Sequence, residues 1–452
     1  MRQGLGAKQG LGAKLGIGWK LHGDGTTPRP GEAVAPNERL SWGRTIGLGA
    51  QHVVAMFGAT FVFPVLMGLD PNLAIMVSGV ATVLFLLIVQ GKIPSYLGSS
   101  ASFVGAVTVI RAGGGDTSTV TGAILVCALV LAAIGLVIHF VGAQVVHRLL
   151  PPAVSGAVVM LIGFNLAPVV AETYWPQDQW IALITMAVVL GCSVLLRGFW
   201  SRIAVFLGLV VGYGLSWLFD RGFGPITAPD ANGHVSTHFR LDLGGVADAS
   251  WFGLPALHAP SFDAAAIIVV LPAVIALIAE NTGHVKAVEE MTGAKLDGSL
   301  GRAIFADGFA STLSSAVGGP PTTTYAENIG VMAATRVYST AAYWVAAIVA
   351  ILFGLCPKFG AVIAATPGGV LGGITVVLYG MIGLLGAKIW VENRVDFGDP
   401  VNLLPLAAGL VVGIGGVSLN ITAQFSLGGI ALGTLVTLLG YHVLRVLVPK
   451  GR

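Results

Sequence analysis

The chain has 452 residues, 55% of them hydrophobic and only 10% charged, with a mean hydropathy of +0.85. A soluble globular protein carries about 25% charged residues, and no chain of this size buries so large an apolar excess by folding on itself. The balance of 24 Lys and Arg against 21 Asp and Glu leaves +3, which excludes a nucleic-acid binder. Continuous rather than alternating apolar stretches exclude a β-barrel. The 64 glycines lie within apolar runs and follow no collagen-like period. These bounds leave an all-α polytopic membrane protein.

Residues 1–40 form a polar arm that opens with a tandem repeat, Gln3–Lys8 copied at Gln9–Lys14, and lacks the apolar core of a cleavable signal. Its glycines and lysines read as a flexible cytoplasmic tail. A spanning helix needs about 20 mostly apolar residues. Such segments fall near 45–67, 73–90, 94–112, 119–143, 152–170, 180–197 and 203–219. After a long loop, 221–261, they resume near 262–284, 302–317, 324–337, 340–355, 360–386, 401–417 and 424–447. Fourteen transmembrane segments are therefore expected, seven on each side of the loop. An odd number per half makes the second half enter from the opposite side, which gives two inverted seven-segment repeats.

With the N terminus inside, only Arg111, Arg221, Arg240 and Lys358 fall outside among the 24 Lys and Arg. That asymmetry places both termini in the cytoplasm. His234 and His238 in the external loop read as solvated, since no helical pattern or carboxylate pair accompanies them. Cys127, Cys192 and Cys356 are far apart, in or beside apolar runs, and form neither a disulfide framework nor a zinc spacing. No metal or other cofactor is expected.

Polar groups inside apolar spans are costly and so are candidates for function. The eighth segment reads Ile278-Ala279-Glu280-Asn281-Thr282-Gly283-His284, with Glu280 and His284 on one helix face. The tenth runs from Gly318-Gly319-Pro320-Pro321 through three threonines to Tyr325-Ala326-Glu327-Asn328. Helix breakers followed by β-favouring residues predict extended backbone, tolerated at membrane depth only where it is buried or lines a cavity. Glu327 would then open a half-helix whose N–H groups face a ligand. The third segment, Pro94-Ser95-Tyr96-Leu97-Gly98-Ser99-Ser100-Ala101-Ser102-Phe103, repeats the design in the first half. Paired broken segments at corresponding positions mark a transporter site. Two carboxylates and one histidine suit a small, flat, neutral, hydrogen-bonding substrate and disfavour a sulfate or bicarbonate.

Four stretches resemble motifs of the nucleobase–ascorbate transporter family, its uracil permease branch above all. They are Gln51–Thr60, Gly91–Ser100, Ala279–His284 and Thr324–Gly330, and the likeness runs from about residue 39 to 447. The resemblance implies a core domain (41–145 and 262–356) and a gate domain (146–220 and 357–452), with short β-strands in segments 3 and 10. It implies that Glu280 binds the base and Glu327 holds it beside the strand. It further assigns His284 to tuning or relaying the proton, Ala101 and Ala326 to backbone contacts with the base edge, and Tyr325 to packing near the ring. The branch often has an aromatic where this chain has Ala101, with Phe103 the nearest ring, and glycine where it has Ala326. Purine-type members tend to carry glutamine in place of Glu327 and to lack His284, so uracil is favoured over xanthine or uric acid.

His52 and Gln51 are supporting candidates that would orient a glutamate; Asp307 and Asn328 are intramembrane polar groups of the same kind. The expected activity is nucleobase import by proton symport across a bacterial cytoplasmic membrane, with a passive facilitator as the rival that two carboxylates oppose. The partners are the nucleobase and the bilayer, and the exposed gate domain is compatible with a homodimer. No nucleophile or metalloprotease motif supports an enzyme.

Overall fold

The structure is a computed structural model that describes residues 16–29, 31–230, 233–422 and 425–448. The tandem repeat of the arm lies outside the described residues.

The first half runs α1 (Trp42–Leu66), α2 (Pro71–Ile88), strand β1 (Leu97–Ser99), α3 (Val104–Ala112), α4 (Thr117–Val141), α5 (Pro152–Phe164), α6 (Gln179–Leu195) and α7 (Ala204–Phe223). The second half runs α8 (Ala264–Val270), α9 (Ala273–Thr292), α10 (Asp297–Ala316), strand β2 (Thr322–Thr324), α11 (Ala326–Thr335), α12 (Thr340–Gly354), α13 (Pro357–Ala364), α14 (Gly368–Glu392), α15 (Pro400–Ile414) and α16 (Gly429–Leu447). Aspartates start many of these helices. Asp70, Asp116, Asp178, Asp263 and Asp399 each accept a backbone N–H of the first turn, satisfying donors that an apolar surrounding would leave orphaned. Pro71 and Pro400 occupy the first helical position, where no N–H is needed.

Every expected segment contains helix, but not every one is a simple span. Among the described residues, eight helices are long and apolar enough to cross a bilayer, or nine if the bent pair α12 and α13 counts once. The shortfall has physical causes. Segments 3 and 10 are split between strand and half-helix, and α6 and α15 are short. Asp297, Arg302, Asp307 and several serines lower the hydropathy of α10. The segment expected at 360–386 is also divided. Pro357 and Pro367 each start a helix, so α13 turns 83° from α12 and the long span begins only at Gly368.

The helices pack in two groups. In one, α4 lies along α10, while α12 lies along α2 and α1. In the other, α14 packs on α5 and α6, α15 on α16, and α6 on α7. Helices α1, α5, α7, α9 and α14 supply contacts between the groups. Small residues make the closest crossing possible. A β-carbon on Gly135, Gly301 or Gly308 would strike the backbone of the facing helix, so α4 and α10 meet almost main chain to main chain.

The 221–261 loop carries a hairpin, Ile226–Pro229 with Val235–His238, and its Arg240 is largely enclosed at the ends of α6 and α7. The guanidinium bonds Asp178 at 2.7 Å and Asp220 at 3.1 Å, with all three side chains at most 11% exposed. Asp178 at the same time caps α6, and Asp220 accepts the backbone N–H of Arg240 and Leu241. Removing the cation leaves two enclosed carboxylates facing each other. Arg240→Ala should therefore lower stability by about 3–5 kcal/mol. Thermal unfolding in detergent checks this, and adding Asp220→Asn should recover part of the loss.

Candidate substrate site

The site is built around two pieces of extended chain. Strands β1 and β2 pair antiparallel, with Leu97 opposite Thr324, Gly98 opposite Thr323 and Ser99 opposite Thr322. Buried backbone needs partners, and the pairing supplies them where no helix can. The ladder extends at both ends through Ser100 N–H to the Pro321 carbonyl and Tyr325 N–H to the Tyr96 carbonyl, at 2.9 and 3.0 Å.

Side chains of neighbouring helices fix the strands from both sides. Thr82 of α2 accepts the Leu97 N–H at 2.9 Å, and Ser78 shares a 2.8 Å bond with the Tyr96 hydroxyl. Ser311 of α10 accepts the Thr322 N–H at 2.9 Å. Tyr325 crosses underneath, its hydroxyl donating to the Ser99 carbonyl at 2.8 Å and accepting from Thr60 at 3.4 Å. Its ring lies on Gly98, where any β-carbon would collide with it.

Each strand runs into a half-helix. After β1, Ser100 accepts the Ser102 N–H, and a tight turn over Ala101–Phe103 leads into α3. After β2, α11 begins at Ala326 with Glu327 in its first turn. Helix α9 passes beside both starts and presents Glu280 to them. The side chains of Ser102, Thr323, Asp307 and Glu327 all lie within electrostatic reach of the Glu280 carboxylate. The Ser102 and Thr323 hydroxyls are buried and have the Glu280 carboxylate as their nearby acceptor. Such groups are costly unless something satisfies them. Glu280, Glu327, Ala101, Ala326 and His284 are half-buried.

The supporting groups sort themselves by partner. His284 Nδ1 shares a 2.7 Å hydrogen bond with the Thr324 hydroxyl, tying α9 to the end of β2. Asn328 donates to both Nδ1 and the carbonyl oxygen of His52 at 3.1 Å, and the His52 ring packs on Tyr343 with centroids 4.3 Å apart. His52 thus holds the residue after Glu327 rather than a glutamate itself. Asp307 is fully buried and accepts from Asn281 at 2.6 Å. Gln51 lies elsewhere, lining a cavity with Arg44 and Thr335. The two aromatic candidates are enclosed. Phe103 has no exposed surface, and Tyr325 is engaged as the strand pin.

Asn281, Ser102 and Thr323 are polar groups of this cluster that residue-type reasoning passed over. Asn281 stands inside one of the motifs and Ser102 and Thr323 inside the two broken segments read from the sequence, but hydroxyls and amides carry no charge to draw attention there. Among the described residues no cluster of metal-ligating side chains is present.

Broken helices, a buried strand crossing and carboxylates inside an apolar bundle define a multi-pass membrane transporter. Comparison with known proteins makes this specific. Residues 43–422 match the profile described as a permease family, and the chain belongs to that family. It is 45% identical to RutG of Escherichia coli (strain K12), whose name marks it as a candidate pyrimidine permease, over 90% of each chain. It is 37% identical to the uracil permease of Bacillus caldolyticus, over 89% of this chain and 92% of that one. The uracil permease of Escherichia coli (strain K12) is 36% identical over 92% and 96%. Among solved structures, the transmembrane domain of the cyanobacterial bicarbonate transporter BicA aligns with a TM-score of 0.57 at 15% identity, covering 88% of this chain and 96% of that one. SLC26A9 aligns with a TM-score of 0.65 at 10% identity, covering 90% and 66%. These two share the fold alone. The protein is a permease and not an enzyme.

Tyr325→Phe tests the strand pin. It leaves the buried Ser99 carbonyl without that donor, which should cost about 1–3 kcal/mol. Thermal unfolding should show the loss, and Thr60→Ala, which removes the longer bond to Tyr325 and a weak one to the Met56 sulfur, should cost less.

Proposed function

We propose that the protein imports a nucleobase, uracil foremost, by proton symport, with the base held between Glu280 and the start of α11. The observation that carries this reading is the convergence of two glutamates and two buried hydroxyls on a buried strand crossing. Uracil offers ring N–H donors flanked by carbonyl acceptors. Carboxylates accept from the former, while strand-end N–H groups at Ala101 and Ala326 and the hydroxyls of Ser102 and Thr323 donate to the latter. The relatives named as uracil and pyrimidine permeases support the same substrate class.

Proton coupling follows from the chemistry of a carboxylate withdrawn from water, which is costly as an anion and stable once protonated. If proton and base bind the same conformation better than either binds alone, their fluxes are linked. Glu280 and Glu327 are the proposed proton carriers. His284, bonded to Thr324, passes a change at α9 to the strand.

The architecture we assign is fourteen segments in two inverted repeats, with both termini in the cytoplasm of a bacterial cell. The two helix groups support a core domain that carries the strands and a gate domain against which it moves. Substrate exchange between the two sides is then alternating access, with few helices at the dividing surface.

Uptake of radiolabelled uracil into proteoliposomes, with and without an inward proton gradient, tests the proposal. The gradient should stimulate uptake severalfold, and Glu280→Gln should abolish that stimulation. Uptake indifferent to both would leave a facilitator. Unlabelled xanthine or uric acid competing better than uracil would reassign the substrate to purines.

A further inference from the structure

The described part of the N-terminal arm is folded against the bundle. Val34 N–H donates to the Arg336 carbonyl at 2.9 Å, Tyr338 N–H to Val34 at 2.8 Å, and Thr340 N–H to Pro36 at 3.1 Å. The Trp19 indole N–H donates to the Thr340 hydroxyl at 2.7 Å. Between this arm and the first turns of α1 lies a cavity of about 380 Å³. Leu40, Leu48 and Val337 give it apolar walls, Thr27 and Thr335 add hydroxyls, and Arg44 supplies the charge. Among the described residues no acidic side chain lines it.

Two cations there lack counter-charges. Arg44 is exposed, as is Arg336, which sits between the lining residues Thr335 and Val337. Among the described residues neither guanidinium has a hydrogen bond or ion pair. The surroundings are those of a membrane interface. Trp42 and Ile46, on the same turns of α1 as Arg44, are 48% and 52% exposed. Trp19 packs edge-on against Trp42, and the Arg39 guanidinium lies over the Trp42 ring. Aromatic rings with arginines at the end of a spanning helix sit at headgroup level.

We propose that this cavity binds an anionic phospholipid, its phosphate between Arg44 and Arg336 and an acyl chain following the exposed side of α1. A small inorganic anion would meet the two arginines but leave the apolar walls unused, whereas an amphiphile matches both. Arginine is suited to the phosphate because its planar fork offers paired donors. The site also touches transport. Arg336 follows directly on α11, the half-helix that carries Glu327, and its left-handed backbone ends that helix. A lipid bound there braces the link between the half-helix and α12.

Native mass spectrometry of the full-length detergent-purified protein, titrated with phosphatidylglycerol or phosphatidylcholine, tests the site. Phosphatidylglycerol should bind more tightly. Arg44→Gln and Arg336→Gln should each weaken it about fivefold, the effect of one basic residue at an anionic surface. Phosphatidylcholine binding should be unchanged, which also reports that the variants are folded, and Arg44→Lys, which keeps the charge but not the paired donors, should lose less affinity than Arg44→Gln. Equal binding of the two lipids would overturn the proposal. An equal loss in Lys358→Gln, which removes a cation remote from the arm in sequence, would overturn it too by showing only a general charge effect. Full competition by glycerol 3-phosphate would replace the lipid with a free phosphate.

Discussion

Everything at the centre of this protein depends on three residues of one half pairing with three residues of the other. A strand inside an apolar bundle has no water to fall back on, so each unpaired N–H or carbonyl there would cost several kcal/mol. The ladder between Leu97–Ser99 and Thr322–Thr324 meets that demand, and it can do so only if both strands are present together. Neither half can therefore complete its own broken segment. The hydroxyls of Thr82, Ser311 and Tyr325 take up backbone groups at the edges of the ladder, each from a different element. The crossing also sets the starts of two half-helices beside the same helix, α9.

The extent to which the sequence disclosed this depended on the physical range of each signal. Gly318-Gly319-Pro320-Pro321 and the threonines after it speak through local backbone chemistry, so the broken tenth segment was readable without any structure. Its counterpart at Pro94–Ser100 was readable for the same reason. Glu280 and Glu327 stood out because charge is scarce among their neighbours. What the sequence could not disclose was pairing over distance. That Asp307 meets Asn281, that His52 holds Asn328, and that Arg240 joins Asp178 and Asp220 depends on helices that approach only after folding. The described part of the arm shows the same limit. Its glycine and lysine content reads as flexible, yet residues 34–36 form main-chain bonds with 336–340 that composition does not encode.

The two halves are alike in backbone and unlike in charge. The first contributes Ala101 and the Ser102 hydroxyl to the common space, while the second contributes Glu280, Glu327 and His284. This division has a physical logic. Carboxylates on both sides of one small cavity would repel each other and, away from water, each would need its own counter-charge or proton. Concentrating the acids in one half leaves the other free to present neutral donors, and a neutral planar ligand needs both kinds of edge. A strand crossing between half-helices is a scaffold with N–H groups directed inward, and the charges placed next to it decide whether an anion or a neutral base is accepted. In the site proposed for this chain, Glu280 and Glu327 would face any anion that entered, so the residues proposed to hold the base would also discriminate against anions.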